Sequence, residues 1–463
     1  MKIPCVVIGG GLSGLAAAIR LARFIPDVVL LEQHSRLGGL NSYYYRNRTL
    51  FETGLHAITN YAEPGEKRAP LNRLFRQLKL NRKNFTLLQQ KTSEVHFYGC
   101  QSLLFSNDFN LLENEIAQKF PNSIDGFIQL VDFMRDFDPF VPLPFRSTRQ
   151  FLAELIKDPL LIDMLLCPLM YYGSSVEDDM DLSQFTIMFQ AIFLEGMFRP
   201  EHSIKEFLDS LKEHFESLGG TIRLSSRVKG LTRDHKGKRV SRIILESGDI
   251  LEADFIISTA GYEETFDLLD QELPETKEDR LGFIESIYQF HSQDRDQLPS
   301  DRTVIFYNSG EVFNYRQPQS FTDFNSGVIC FPFNFENLVP GTHVEMRSTH
   351  LASYRHWKTI KEYPQKYLKE KETARIHSRR SIEKIVGKLN VNVVYEDTFT
   401  PLTIERYTAK KNGAIYGSPK KIKDGDIGLE NLFLAGTDQG FLGIVGSMLS
   451  GVSIVNQHVL SRF

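Results

Sequence analysis

Glycines spaced closely after a short apolar strand can cradle a diphosphate. The sequence carries such a pattern in PCVVIGGGLSGLAAAIRLARFIPDVVLLEQHSRLGG, residues 4–39. Gly9 permits a tight turn, Gly11 lets the backbone approach a pyrophosphate, and Gly14 lets the next helix pack close to the strand. Leu12 and Ser13 open that helix, whose free N–H groups and partial positive charge favour phosphate. Glu32 follows Gly14 by 18 residues, near the spacing of a carboxylate that holds ribose hydroxyls, with Gln33 beside it. A glycine-rich turn without a ligand is the plain alternative. Here strand, glycines, a helix through Ala22, a second strand VVLLE and the acid all fall in register.

A second glycine-dense run, NLFLAGTDQGFLGIVGSMLSG, occupies residues 431–451, with five glycines between Gly436 and Gly451. It predicts a strand ending at Gly436-Thr437-Asp438 and then a helix, GIVGSMLSGVSIVNQHVL. The start of that helix, Gly443 through Ile444 and Val445 to Gly446, offers backbone N–H groups and the positive end of a helix dipole where side chains would block approach.

Other elements must hold these runs in place. At 463 residues the chain suggests two or three domains with sizeable cores. Hydrophobic content of 41% and charged content of 24% are those of a soluble globular protein. A net charge of −4, with no basic stripe interleaved with aromatics, gives no reason to expect nucleic acid. Cys5, Cys100, Cys167 and Cys330 form no CxxC pair, which argues against a disulfide framework and against a metal site, and fits a reducing compartment. No secretory signal precedes the first strand, and the segment Gln439 to Gln457 is too broken by polar residues to read as a membrane span. The location expected is cytoplasmic. The 35 Phe fit large cores or the lining of an apolar tunnel.

Residues 70–210 read mostly as helices with few strand signals. The stretch RQFLAELIKDPLLIDMLLCPLMYYGSS, after FVPLPF, reads either as core or as a monotopic membrane patch or lipid-channel mouth. Residues 197–261 predict a helix and then three strands, with turns at Lys236-Gly237-Lys238 and Ser247-Gly248-Asp249. Residues 285–395 contain the strand-like TVIFYNS and SGVICFPFNF and a long charged helical stretch, most simply a solvated face. No repeat or low-complexity linker is evident, so the domains are expected to interleave.

The run GxGxxGLxxAxxLA, then strand-Glu, then Gly38-Gly39, resembles the FAD signature of flavin amine oxidases and of phytoene-desaturase-like enzymes. FETGLHAIT, from Phe51, is similar to the motif that follows the glycine pair in the carotenoid-isomerase and retinol-saturase branch. TPLTIERYTAKKNGAIYG and AGTDQG resemble the same branch. No second strand leads into a GxGxxG, so a separate NAD(P)H domain is not expected. The fold implied is α/β: a discontinuous Rossmann-type FAD-binding domain (1–70, 200–285 and 400–463) with an interleaved α+β substrate domain (71–199 and 286–399).

The resemblance further implies that both glycine runs serve one FAD. Gly54 would allow close approach to the flavin, Val228 would make a backbone contact to the adenine, and Ala260 and Gly261 would end a strand beside the cofactor. Asp438 is the expected acid at the ribityl–phosphate portion. Relatives usually carry a proline and a glycine pair just before the helix near 204. This chain has Glu201, His202 and Ser203 there, which weakens the inference about substrate. His56 is either satisfied by backbone or faces the reaction space; with Glu405 and Tyr416 it is a candidate for a polar role near the ring. The reaction implied is hydride transfer at flavin N5 to or from carbon–carbon bonds of an apolar polyene, by desaturation, isomerisation or saturation. Peripheral contact with a membrane surface is a further expectation. A flavin amine oxidase and a flavoprotein without turnover are the alternatives.

Overall fold

The computed structural model describes residues 2–54, 57–141, 143–271, 273, 280–339 and 341–462. Its first sheet has five parallel strands, in the spatial order Thr221–Arg223, Val29–Leu31, Ile3–Ile8, Ala253–Ser258 and Leu432–Leu434. Val6, Val7, Leu30, Leu31, Ile256 and Ile257 are all buried, because the sheet is covered on both faces and its strands need no polar alternation. One face packs against the helices Leu12–Ala22, Pro70–Leu78, Ile204–Ser217 and Gly443–Ile454. The other packs against a three-stranded antiparallel ribbon, Val228–Arg233, Val240–Leu245 and Ile250–Leu251.

The second sheet has seven strands, in the order Tyr395–Phe399, Gly282–His291, His343–Ala352, Ser326–Cys330, Arg302–Asn308, Thr92–Phe97 and Ser102–Phe105. All neighbouring pairs are antiparallel except Arg302–Asn308 with Thr92–Phe97. One face buries Phe97, Phe105, Phe306 and Val328 against helices drawn from residues 109–189. The opposite face buries Tyr288, Ile305, Tyr307 and Met346 against Ile382 of the charged helix Pro364–Val386.

One expectation needs correction, and several strands escaped the sequence reading. The stretch TIRLSSRVKGLTRD is two strands in two different sheets, so five strands follow the helix, not three. The chain turns between them at Ser225, which takes a left-handed φ of 51°. Residues 70–210 are mostly helical, as expected, but also hold four short strands, Leu87–Gln89, Thr92–Phe97, Ser102–Phe105 and Met197–Pro200. Thr92–Phe97 alternates buried Ser93, Val95 and Phe97 with half-buried neighbours, a period of two in a segment short enough to pass unnoticed between helices. The two ten-residue strands Gly282–His291 and His343–Ala352 give no alternation signal, because polar groups such as Ser286, Gln289, Arg347 and His350 are themselves buried.

The apolar stretch read as core or as a membrane patch divides in two. The helix Pro159–Gly173 is buried nearly all round, from Leu161 to Tyr171, and is core. Ahead of the preceding helix, Thr148–Leu155, the side chains of Phe140, Val141, Leu143 and Phe145 are exposed. Among the described residues no helix is long and apolar enough to cross a membrane.

Candidate active site

A cavity of about 530 Å³ opens between the carboxyl ends of the parallel strands and one face of the seven-stranded sheet. Such a crevice is where open α/β sheets bind ligands. Gly9, Gly11, Leu12 and Ser13 of the first glycine run line it together with Gly436, Gly443 and Ile444 of the last. The two ends of the chain therefore face one space.

Each glycine has a separate steric reason. A Cβ on Gly14 would overlap the carbonyl oxygen of Gly9, so Gly14 serves the strand–helix contact from behind the wall. A Cβ on Gly11 would meet nothing within 4 Å, so this glycine borders open space. Gly38, at φ 112°, donates its N–H to the Gly10 carbonyl oxygen at 2.9 Å and bridges Gly11, which joins the glycine pair to the first turn. Gly39 and Gly54 also line the cavity. Glu32 is buried at its edge beside Gln33: Oε2 accepts from Gly10 N–H at 2.7 Å and Oε1 from His34 N–H at 2.8 Å. The carboxylate thus fixes the glycine turn as well as facing the cavity. Val228 lies on the wall beside Ser226 and Arg227.

The second run meets the first directly. A Cβ on Gly436, which sits at φ 106°, would stand 3.8 Å from Ser13 Oγ. Ser13 Oγ and Thr437 Oγ1 are buried without a hydrogen-bond partner, and both residues line the cavity. Buried hydroxyls without partners are uncommon in folded proteins and point to a ligand that supplies them.

Asp438 is differently placed from the expectation. Its Oδ2 accepts from Tyr262 N–H and its Oδ1 from Ser418 N–H, both at 2.6 Å, and it does not line the cavity. Burial alone would raise this carboxyl. Lys410, Lys421 and the two N–H groups outweigh burial and hold it below its ordinary value. Asp438 is an ionised anchor behind the wall, and its neighbour Thr437 faces the ligand space. Gly261 likewise sits behind the wall, where a Cβ would crowd Asp438 Oδ2 and Lys410 Nζ. Val445 is buried in the core on the far side of its helix.

Of the three polar candidates, Glu405 is also removed from the cavity: both its oxygens accept from Tyr354 O–H at 2.8 Å. Tyr416 is on the wall, but its hydroxyl donates to the carbonyl oxygen of Tyr171, and burial raises its pKa, so it presents a ring and not an acid. His56 lies outside the described residues.

Sequence reasoning missed the chamber opposite. Phe399, Glu285, Thr349 and Val328 are successive cross-strand neighbours on one row of the second sheet, and all four line the cavity. Tyr171, Tyr172, Phe283, Ile415 and Leu442 complete the wall. No spacing in the sequence announces a row assembled across four strands. Lys410 was also missed. Its side chain is 11% exposed, and its Nζ lies 3.9 Å from Asp438 Oδ2 beside Gly261.

These features fit FAD. The glycine turn and two unpartnered hydroxyls suit a diphosphate, Lys410 supplies a cation, Glu32 suits a ribose, and the start of the helix Gly443–Ile454 suits the pyrimidine edge of a flavin. Fold and site together define a flavin-dependent oxidoreductase. The profile of the flavin containing amine oxidoreductases matches residues 12–454, and the chain belongs to that family, with FAD as its cofactor. A curated relative, 4,4'-diaponeurosporene oxygenase of Staphylococcus aureus, is 24% identical over 446 residues, covering 89% of this chain and 87% of the relative. Among solved structures, an oxidoreductase from Methanosarcina mazei superposes with a TM-score of 0.70 at 15% identity, covering 98% of this chain and all of that one. A putative protoporphyrinogen oxidase from Exiguobacterium gives 0.61 at 17% identity, covering 100% of this chain and 99% of that one. A putrescine oxidase variant gives 0.63 at 14% identity over the whole of both chains.

A polar chain leads from the wall toward solvent. Thr59, which lines the cavity, donates to Asn60 Oδ1 at 3.2 Å; Asn60 Nδ2 donates to Glu195 Oε2 at 2.7 Å, and Gln190 Nε2 to Glu195 Oε1 at 3.1 Å. Burial, with a smaller push from Glu66, raises Glu195 from 4.5 to about 7 against those two hydrogen bonds.

Two predictions follow from these placements. Lys410→Gln should weaken FAD retention roughly tenfold or more, the loss of one charge-assisted contact, and Lys410→Arg should restore most of it. Equal flavin-to-protein ratios in all three proteins after dialysis would remove Lys410 from the cofactor site. For Glu195 the folded pKa lies above the unfolded one, so its contribution is complete below about pH 4.5 and is lost as pH rises toward 7. Glu195→Gln should therefore gain stability relative to wild type, by about 2–3 kcal/mol, between pH 5 and pH 8. A difference in melting temperature that does not change with pH would refute this.

Proposed function

We propose that this FAD-dependent oxidoreductase acts on carbon–carbon bonds of an apolar polyene or isoprenoid. The observation that carries the reading is the chamber wall made by Phe283, Val328, Phe399, Ile415, Leu442 and the rings of Tyr171 and Tyr416. A long apolar chain gains stability there roughly in proportion to the area it buries. The name of the S. aureus relative, an oxygenase of diaponeurosporene, supports the same substrate class.

FAD, when bound, accepts or supplies the hydride. The protein's residues bind, orient and exclude water. N–H groups at the start of the helix Gly443–Ile454, with the positive end of its dipole, would favour negative charge on a flavin held against them. Tyr416 holds its ring against Phe283, with centroids 5.6 Å apart, and keeps its hydroxyl turned out of the chamber. Whether the reaction desaturates, isomerises or saturates depends on the partner that exchanges electrons with the flavin.

A substrate of this kind is drawn from a lipid phase, and the exposed side chains of Phe140, Val141, Leu143 and Phe145 form the surface proposed to rest on it. Phe140 stacks on Phe441 at 5.3 Å, next to Leu442 and Gly443 of the cavity wall. This surface thus adjoins the chamber mouth. Exposed apolar side chains of this type insert at the headgroup boundary.

Purified protein should release a polyene on solvent extraction, and that polyene should change after a cycle of anaerobic dithionite reduction and reoxidation. An extract free of apolar ligand, with flavin that bleaches on adding an amine, would replace this reading with amine oxidation. In a separate assay, wild-type protein should sediment with phosphatidylglycerol–phosphatidylcholine vesicles, and Phe140→Ser with Phe145→Ser should lose most of that binding. Failure of the wild type to sediment would remove the membrane contact.

A further inference from the structure

The polar chain behind the cavity wall is fixed by backbone as well as by side chains. Thr59 is buried, lines the cavity and stands beside the leading end of the helix Gly443–Ile454: a Cβ on Gly443 would come within 3.2 Å of its Oγ1. Next to it, Asn60 takes a left-handed φ of 68°, which asparagine tolerates better than most residues. Two backbone bonds hold this turn against a second segment, Asn60 N–H to the Ala191 carbonyl oxygen at 3.0 Å and Tyr61 N–H to that of Gly196 at 3.2 Å. That segment is a π-helical turn, Gln190–Leu194, which continues the helix Leu182–Phe189 and ends with Glu195 N–H on the Gln190 carbonyl oxygen at 2.8 Å. Single π turns that extend α-helices are rare and recur at functional sites. This one brings the Glu195 carboxylate to the Asn60 side chain.

While Glu195 is ionised, the donors and acceptors along the chain have only one arrangement. A carboxylate accepts and cannot donate, so Asn60 presents Nδ2 to Glu195 Oε2, at 2.7 Å. Oδ1 is left for Thr59, which donates its proton there at 3.2 Å. Thr59 therefore turns lone pairs toward the cavity. A protonated Glu195 permits the reverse: the acid donates to Oδ1 of a turned-over amide, Nδ2 donates to Thr59, and the Thr59 proton is freed toward the wall. Glu195 is half-buried beside exposed Gln190, so solvent protons reach it. Burial raises it to about 7 against the hydrogen bonds from Asn60 and Gln190, with a smaller push upward from the Glu66 carboxylate. Among the described residues these are the polar and charged groups that face it, and none is a cation.

We propose that Glu195 is a positioning residue for the flavin: acting through Asn60, it makes Thr59 Oγ1 an acceptor for the N3–H of the ring. That N–H is the only donor on the pyrimidine edge of oxidised flavin. The N–H groups at the start of the helix Gly443–Ile454 suit the carbonyl oxygens of the same edge, so helix and threonine supply complementary halves of one contact. The arrangement concerns the cofactor and holds for any substrate class.

The test follows the visible absorption of the FAD-loaded protein from about pH 5.5 to 8.5, a range in which oxidised FAD does not itself titrate. The flavin bands of wild type should shift in one step with a midpoint at or just below pH 7, because bound FAD favours the anion. FAD retention on dilution should strengthen about fivefold from the acid to the alkaline side of that step. Thr59→Val and Glu195→Gln should each lose the step in both readouts, and Thr59→Ser should keep it. A carboxylate felt only through space, or one that merely supports the fold, would leave the step in Thr59→Val. A step that persists in Thr59→Val or in Glu195→Gln, or a wild-type spectrum without one, would overturn the inference.

Discussion

Two helices approach so closely that their backbones touch, and the rest of the site depends on that contact. A Cβ on Gly451, in the helix Gly443–Ile454, would overlap the carbonyl oxygen of Ser13 and come within 3.0 Å of Ala17 N. Ser13 and Ala17 lie on the helix Leu12–Ala22, which is itself pressed onto the first strand by Gly14. Small residues at these points let the helix Gly443–Ile454 lie against the helix Leu12–Ala22. Its leading end then faces the same cavity as the Gly9–Gly14 turn. Larger side chains would force the helices apart, because packed interiors give little.

Charge at the site follows from that geometry. Asp438 is kept ionised in the interior by Lys410, Lys421 and two backbone N–H groups. Lys421 is pushed down to about 8 by burial, partly offset by Asp438, and donates to the carbonyl oxygens of Tyr416 and Thr437. The cluster therefore pins the segments around 262, 418 and 438 to each other and orients Lys410 beside the cavity. A buried ion pair of this sort is better understood as fixing position than as adding stability.

The nucleotide-binding half was legible in the sequence because its signals are local. Glycine spacing, the helix that ends at Ala22 and the acid at Glu32 all fall within one strand–helix–strand unit. The same locality failed at Thr437 and Asp438. Consecutive side chains on a tight turn point in different directions, and only the distant N–H groups of Tyr262 and Ser418 decide that Asp438 turns inward. Glu405 was misplaced for the same reason, since its partner Tyr354 is 51 residues away. The substrate chamber was not legible. Its floor joins positions 285, 328, 349 and 399 by strand register alone. Buried polar residues such as Ser286 and His350 hid the strands that carry it.

The central claim is that one FAD is gripped by both ends of the chain. Adding FAD to apoprotein while following amide hydrogen exchange tests it directly, since exchange reports local opening segment by segment. Residues 9–14 and 436–447 should gain protection together, with one shared dependence on FAD concentration. Protection confined to one of the two segments, or different midpoints for each, would contradict it.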